Sequence, residues 1–292
     1  MVPTWYLFRA VSTLGVVVPK MWTMVATLKY GMFAWYGFAG PQRDKLKRIH
    51  EAGFPSVMLW WGDELAFGEH EKSDLVQLTR DIGLEIENIH VPYIEANKLW
   101  SDEAQVREPV LQKHIGWLQN CANFAVPMMV MHISRGELQT APNEHGMDSF
   151  SRLVREAERL RVTLAIENTR TVNLTKHLLR SFPSASLGFC YDTSHGRLYE
   201  SEPFELVKAF PNRLKCLHLS DNDDKSDRHW IVGRGVVDWD AFARAFPKDY
   251  CGCLSLEVEP NDEKETESAF LQAAHAALAE VGEKISRARR EV

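Results

Sequence analysis

The chain has 292 residues, of which 45% are hydrophobic and 25% are charged, as in a globular protein with one large core. Its formal net charge of -6 offers no basic field to a nucleic-acid backbone, so the composition favours small-molecule chemistry. Five cysteines without framework spacing argue against a disulfide scaffold. We therefore expect a cytoplasmic protein.

Residues 1–28 are apolar enough to suggest a signal peptide or a membrane anchor. Arg9, Pro19 and Lys20 interrupt the apolar run too early for a spanning helix, and no small-residue cleavage site is evident. We expect an N-terminal arm of uncertain order and no association with a membrane.

From Lys29 onward, β-rich runs alternate with amphipathic helical stretches, and no linker interrupts them. The predicted strands are 29–37, 56–62, 84–93, 127–134, 163–169, 187–195, 214–220 and 253–259. Their continuous apolar character is typical of a parallel sheet buried on both faces, and eight strand-then-helix units close naturally into a (β/α)8 barrel. An open doubly wound sheet is the alternative, although no glycine-rich loop follows the first strand. We predict a single α/β domain over residues 29–285, followed by a basic tail at 286–292.

Polar side chains occur at the ends of successive predicted strands. In a barrel of this kind, the active site lies at the C-terminal strand ends and in the loops after them. The strand-end residues are His90, His132, Glu167, Asp192, His195, His218 and Glu257, from strands three to eight. A single histidine at a strand end is more often a hydrogen-bonded core residue than a ligand. Six strands that end in this way favour a functional cluster.

Four of these residues, one from each of strands five to eight, should converge near the barrel axis. They are Glu167, Asp192, His218 and Glu257. Buried carboxylates this close together repel one another unless a cation lies between them. Three carboxylates and one imidazole suit Mn²⁺, Mg²⁺ or Co²⁺, with Zn²⁺ as a further candidate. The sequence thus predicts one bound divalent cation.

An ordered set of motifs resembles a known superfamily. The motifs are IEN (166–168), DTSH (192–195), HLSDN (218–222), DRH (227–229), GRG (233–235) and LEVE (256–259). Over roughly residues 29–275 the chain is similar to the sugar phosphate isomerase/epimerase superfamily of xylose isomerase-like TIM barrels. The resemblance implies that Glu167, Asp192, His218 and Glu257 bind the cation and that His195 contacts substrate oxygens. In the ketose 3-epimerase branch, the two glutamates also form the acid/base pair.

The resemblance and the residue chemistry together predict an isomerase or epimerase of a sugar, a sugar phosphate or a keto-polyol. The reaction would move a proton alpha to a carbonyl through a metal-stabilised enediolate. A keto-polyol dehydratase is an alternative, because dehydration begins with the same proton abstraction. If Glu167 or Glu257 is only a ligand, Glu259, His195 or Lys225 would move the proton.

Further residues are predicted around this centre. We expect a small carbohydrate substrate to contact His90, His132, His195, Lys225, Arg228 and Trp61. Additional metal ligands, or groups that orient the ligands, are Asp221, Asp227 and His229. Asp63 and Glu64 either bind substrate hydroxyls or cap the next helix, and loops 94–103 and 135–147 are candidate lids. A homo-oligomer is expected only from the resemblance.

A second function class uses the same residue types. The endonuclease IV family shares the barrel and holds three zinc ions with nine ligands, which would correspond here to His90, His132, Glu167, Asp192, His195, His218, Asp227, His229 and Glu257. The chain departs from that family in MHISRG after strand four and in the serine of DTSH. Its acidic balance also argues against DNA. We prefer the isomerase-like function, and a third alternative is a non-catalytic sugar-binding barrel.

Overall fold

The structure is a computed structural model that describes residues 28–62 and 72–291. Nearly all of the predicted N-terminal arm, residues 1–28, lies outside the described residues, and so do Asp63 and Glu64. None of the helices in the described ranges is long and apolar enough to cross a membrane.

Eight parallel strands form one sheet that curves into a nearly closed barrel. They are β1 (Lys29–Phe33), β2 (Ser56–Trp60), β3 (Glu85–His90), β4 (Met128–His132), β5 (Thr163–Glu167), β6 (Leu187–Asp192), β7 (Leu214–His218) and β8 (Cys253–Leu256). The sheet order is β7-β6-β5-β4-β3-β2-β1-β8. A bridge between Leu219 and Leu256 joins the end of β7 to β8. The predicted single-domain (β/α)8 barrel is thereby confirmed.

Helices follow the strands on the outside of the barrel. They are α1 (Gln42–Glu51), α2 (Lys72–Asp81), α3 (Ala104–Asn123), α4 (Glu144–Leu160), α5 (Val172–Ser181), α6 (Thr193–Tyr199), α7 (Glu205–Ala209), α8 (Trp239–Ala245) and α9 (Glu267–Arg290), with 3₁₀ turns at Ala96–Trp100 and Pro211–Arg213. Helix α1 begins after Pro41 and is followed by Gly53 at φ +95°, as the proline and glycine signals indicate. Helix α9 includes Arg287, Arg289 and Arg290 of the C-terminal basic segment.

Alternation along the strands decides which residues reach the barrel interior. A small cluster of Met128, Val130, Ala165, Cys190 and Cys216 packs separately from the large core beneath the helices. Successive residues of a strand point to opposite faces, so residues two positions further on share a face. Glu167, Asp192 and His218 follow Ala165, Cys190 and Cys216 by two positions. The interior packing therefore directs all three polar side chains to the barrel axis.

Strand β3 contains one extra residue. Ile86 pairs with Val57, but Asn88 pairs with Met58, so Glu87 has no partner in the register and forms a β-bulge. The side chain of Glu87 is buried and accepts a hydrogen bond from Ser255 Oγ. Gly31 leaves the space for this contact, since a Cβ there would lie 2.3 Å from Ser255 Oγ.

A substitution at Gly146 in α4 can test how tightly the helices pack around the barrel. A Cβ at Gly146 would lie 1.8 Å from Cε3 of Trp100, whose indole donates to the carbonyl of Ile133 at 2.7 Å. We expect Gly146→Ala to lower the free energy of unfolding by about 1–3 kcal/mol. Gly116→Ala in α3 meets nothing within 4 Å and should instead raise it by about 0.5–1 kcal/mol. Equilibrium urea unfolding measures both, and equal effects would contradict this account.

Candidate active site

The structure brings the four predicted ligands together at the C-terminal end of the barrel. Glu167, Asp192 and His218 end β5, β6 and β7, and Glu257 directly follows β8. One ligand atom from each of the four lies within 4.8 Å of the others. Their side chains are almost fully buried, apart from that of Glu257, which is 16% exposed.

Glu167 lies at the centre of a ring of imidazoles. Its Oε2 is 3.1 Å from Nε2 of His90, 3.2 Å from Nε2 of His132 and 3.2 Å from Nδ1 of His218. Its Oε1 is 3.1 Å from Nδ1 of His195. His90, His132 and Glu167 form a second group with the spacing of metal ligands.

Asp227 joins two further histidines to this ring. Its Oδ2 lies 3.2 Å from Nε2 of His195 and 3.1 Å from Nε2 of His229. Ser194 Oγ donates to Asp227 Oδ1 at 2.7 Å. His229 Nδ1 is 3.1 Å from the backbone oxygen of Glu257. These contacts hold Asp227 and His229 over the mouth of the cluster.

The charges in the cluster shift one another's protonation. Burial opposes ionisation of Glu167, but the charges of His132 and His218 outweigh it and hold the pKa of Glu167 well below its usual value. Burial likewise opposes ionisation of Glu257, yet His218 lowers the pKa of Glu257 to about 2. Burial favours neutral His218, but Glu257 and Glu167 raise its pKa well above the usual value. Burial raises the pKa of Asp192 to about 7, an effect that the His195 charge opposes.

The donor set fits a divalent cation. Oδ2 of Asp192 is buried without a hydrogen-bond partner, while its Oδ1 accepts from the backbone N–H of His195 at 2.7 Å. An unpaired buried carboxylate oxygen is costly unless a cation or a proton meets it. The raised pKa values of His195 and His218 show that positive charge is favoured at this point. Glu167, Asp192, His218 and Glu257 could hold a divalent cation there.

A pocket of about 250 Å³ opens above the cluster. Aromatic side chains form one wall, which consists of Phe33, Trp35, Trp60 and Tyr93. Polar side chains form the rest of the lining, with Val258: His90, His132, Glu167, His195, Asp227, His229, Glu257 and Glu259. The volume is below the roughly 300 Å³ at which pockets for drug-sized ligands begin. The pocket is therefore suited to a molecule smaller than a typical drug.

Ring contacts connect the aromatic wall to the histidines. Tyr93 stacks on His132 with centroids 4.4 Å apart, and Trp60 stacks on His90 at 5.5 Å. Phe33 is nearly parallel to His218 at 6.5 Å. Phe33 was not among the predicted site residues. Its position as the last residue of β1 is the signal that could have found it.

Trp60, and not Trp61, is the tryptophan of β2 that faces the pocket. Trp61 is 1% exposed within the core, and its Nε1 donates to Asn120 Oδ1 of α3 at 3.1 Å. Adjacent residues of an extended chain point to opposite sides, so Trp61 turns towards the helices when Trp60 turns inward. The predicted substrate contact of Trp61 is corrected accordingly.

The structure does not bring three other predicted residues into the pocket. Lys225 and Arg228 are exposed and do not line it. Arg228 pairs with Asp223 at 2.9 Å. Asp221 accepts hydrogen bonds from Gly233 N, Val237 N and Trp239 Nε1 at 2.9–3.0 Å, which fixes the loop after β7. These donors belong to the loop after β7 and to the start of α8, and not to the four ligands.

Glu87, one layer below the cluster, was also missed by the sequence prediction. Burial raises its pKa to about 7, although the Ser255 hydrogen bond opposes the shift. Little in the sequence pattern indicates a role for Glu87, because its contact with Ser255 depends on the bulge in β3 and on the space at Gly31.

The two candidate lid loops are joined to each other. Asn97 Nδ2 donates to the carbonyl of Arg135, and the Arg135 N–H donates to Asn97 Oδ1, each at 2.8 Å. The reciprocal pair fixes loop 94–103 against the start of loop 135–147 near Tyr93.

The fold is a parallel eight-stranded barrel, and carboxylates and imidazoles at the C-terminal ends of its strands form a candidate metal centre. The model of the xylose isomerase-like TIM barrel family matches residues 46–274. The chain belongs to this family.

Individual relatives are distant. The uncharacterized protein y4fM of Sinorhizobium fredii is 23% identical over 85% of this chain and 90% of its own length. A probable endonuclease 4 of Aquifex aeolicus is 22% identical over 59% of this chain and 69% of its own length.

Solved structures share the fold at similarly low identity. L-ribulose 3-epimerase matches with a TM-score of 0.72 at 18% identity, over 90% of this chain and 96% of that protein. The IOLI protein with a bound zinc atom matches with a TM-score of 0.71 at 17% identity, over 89% and 99%. These neighbours include sugar epimerases and a zinc-bound structure.

We predict that cation binding displaces protons from the cluster. Glu257 and Glu167 raise the pKa of His218, and a proton on its ring must leave before Nδ1 can bind a metal. The affinity for Mn²⁺ or Zn²⁺ should therefore fall as the pH is lowered. Calorimetric titration in buffers of different ionisation heats should show release of about one proton or more. His218→Asn should lose the binding, and His145→Asn, at a partly exposed position away from the cluster, should keep it. A heat independent of buffer would contradict the prediction.

Trp60 and Trp61 should give different fluorescence responses. Of these two tryptophans, Trp60 alone lines the pocket, so we expect a polyol such as xylitol to change the tryptophan fluorescence of wild type and of Trp61→Phe, with a clearly smaller change in Trp60→Phe. Trp61→Phe should instead lower the free energy of unfolding by about 1–2 kcal/mol, because it loses the bond to Asn120. A response lost in Trp61→Phe and kept in Trp60→Phe would contradict the placement.

Proposed function

We propose that this chain is a divalent-metal-dependent sugar or keto-polyol isomerase or epimerase that moves a proton alpha to a carbonyl. The observation that carries the proposal is the group of Glu167, Asp192, His218 and Glu257, with ligand atoms within 4.8 Å of one another at the base of the pocket. The sugar epimerases among the structural neighbours support the same substrate class.

The two glutamates differ from the other two ligands in their access to a substrate. Glu167 and Glu257 line the pocket, whereas Asp192 and His218 are buried beneath it. A base must come within hydrogen-bond reach of the proton that it removes. Glu257 is ionised at neutral pH and partly exposed, so it is the better placed of the two to accept a proton first.

Other residues would orient the substrate. His132 and His195 also line the pocket, and each contacts Glu167 through one ring nitrogen. His132 can donate to a substrate oxygen through its other ring nitrogen, whereas Nε2 of His195 lies 3.2 Å from Asp227 Oδ2. Trp60 and Tyr93 present aromatic faces to the apolar side of a sugar. A bound cation would supply Lewis-acid stabilisation of the negative charge that develops on substrate oxygens. Removal of the proton by Glu257 could begin either epimerisation or dehydration of a keto-polyol. For epimerisation, Glu167 is ionised at the start and would pass to the opposite face a proton taken from the His195 ring, 3.1 Å away.

A second candidate function is a three-zinc endonuclease of the endonuclease IV type. The observation in its favour is that all nine predicted ligands lie at this end of the barrel, where Glu167 and Asp227 contact the five histidines among them. The similarity to a probable endonuclease 4 points the same way. The carboxylates around the pocket disfavour it, since DNA binding needs cationic partners for phosphates.

Metal content and proton exchange test the proposal together. We expect about one divalent cation per chain by inductively coupled plasma mass spectrometry, and less in Glu257→Gln. Glu263→Gln, an exposed substitution that removes the same charge, should leave the content unchanged. The loaded protein should exchange the alpha proton of a ketose or keto-polyol with deuterated water, detected by NMR, at a rate at least about 100-fold lower in Glu257→Gln.

Other outcomes favour the alternatives. Close to three zinc ions per chain together with cleavage of abasic-site DNA would favour the endonuclease. Sugar binding without proton exchange at any metal content would favour a binding protein.

A further inference from the structure

The unpaired charge of the pocket lining is negative, because the two lining histidines with raised pKa values, His195 and His229, are both paired with Asp227. Among the described residues, thirteen line it, and they include the carboxylates of Glu167, Asp227, Glu257 and Glu259 but no lysine or arginine. A bound cation would offset part of this charge at the base of the pocket. It would not offset the charge of Glu259 at the mouth, which lies outside the ligand group.

Arginines around the mouth are already paired with acidic side chains. Each of four arginines on the loops or helices after β5, β6 and β7 forms an ion pair there. The pairs are Arg170 with Glu137 at 3.3 Å, Arg197 with Asp224 at 2.9 Å, Arg228 with Asp223 at 2.9 Å and Arg234 with Glu265 at 3.0 Å. An anionic substrate would have to compete with a local carboxylate for each of them.

The charge of Arg135, in the loop after β4, acts on Tyr93 of the aromatic wall. Burial raises the pKa of Tyr93, and the Arg135 charge opposes that shift. Arg135 is exposed and does not line the pocket, and its backbone is fixed by Asn97. Residues 63–71, outside the described ranges, read DELAFGEHE and contain four acidic residues but no lysine or arginine.

Glu259 is fixed at the entrance by two contacts. Its backbone N–H donates to the carbonyl of His229 at 2.7 Å. On the other side it packs against the loop after β1, where a Cβ at Gly37 would lie 3.4 Å from the Glu259 Cβ. Its side chain is exposed and yet lines the pocket. The carboxylate of Glu259 is therefore placed where it can meet a substrate in the pocket.

We propose that the pocket selects uncharged sugars or keto-polyols over their phosphate esters, and that Glu259 is a residue that determines this selection. The proposal rests on the proposed function, which leaves the charge of the substrate open. A phosphate ester carries up to two negative charges. Near Glu259 the phosphate ester would meet a charge of the same sign. Among the described residues that line the pocket, none offers an unpaired cation to bind it. Juxtaposed like charges therefore disfavour the ester.

The test compares a sugar with its own phosphate ester. Alpha-proton exchange is measured on D-fructose and D-fructose 6-phosphate with the metal-loaded wild type, Glu259→Gln, Glu259→Lys and Glu263→Gln. Binding of sorbitol and sorbitol 6-phosphate, followed by tryptophan fluorescence, gives a readout that needs no catalysis. Wild type should favour the uncharged member of each pair by about tenfold or more, as expected for like-charge repulsion near a protein surface.

The variants separate the role of Glu259 from a general charge effect. The preference should shrink several-fold in Glu259→Gln and further in Glu259→Lys, and it should be unchanged in Glu263→Gln. A wild-type preference for the esters, or equal binding of the two sorbitol compounds, would overturn the proposal. An unaltered preference in Glu259→Lys would overturn the role of Glu259. Absence of exchange on every sugar would count against the proposed function alone, since the sorbitol pair still decides the selection.

Discussion

The buried carboxylate of Glu167 is the group around which the site is organised. It is 1% exposed, and an ion at such a position requires charged partners on several sides. Imidazoles from β3, β4 and β7 and from helix α6 approach it at 3.1–3.2 Å. A closed barrel is one of few architectures that can bring side chains from so many strands to one point, so the fold and the charge depend on each other.

The two halves of the barrel contribute different chemistry to the pocket. Strands β1 to β3 and the loops after them supply the aromatic wall, in which Trp35, Trp60 and Tyr93 contact one another or neighbouring rings. Strands β5 to β8 supply the carboxylates and His218. A sugar has an apolar face of C–H groups and an edge of hydroxyls, and a pocket with one aromatic wall and one polar wall matches both.

The sequence predicted the parts of the site that depend on local pattern. Glu167, Asp192 and His218 each end an apolar run, and the two-residue period places them on the same face as the small interior residues that precede them. Glu257 was predicted in the same way from the eighth apolar run, although in the structure it lies just beyond β8 rather than within it. The structure confirms the barrel that these assignments assumed.

Residues whose position depends on non-local geometry were harder to predict. Trp60 and Trp61 are chemically identical neighbours, and only the inward face of β2 distinguishes them. Asp221 has the residue type of a ligand, but the backbone donors of its own loop satisfy it. Arg228 lies one residue from Asp227, yet the contact with Asp223 turns it outward. None of these outcomes follows from residue type and spacing.

The bulge in β3 has a consequence for comparisons between relatives. If Glu87 were deleted, Ile86, Asn88, Ile89 and His90 would alternate regularly, and Asn88 and His90 would keep their partners Met58 and Trp60. Glu87 therefore behaves as a one-residue insertion that leaves His90 in place. A homologue that lacks the insertion would have the same histidine at the same site. Its sequence would align correctly with this chain only through a one-residue gap in the middle of a strand, where gaps are usually not placed. Identity measured across this strand without that gap would understate the relationship.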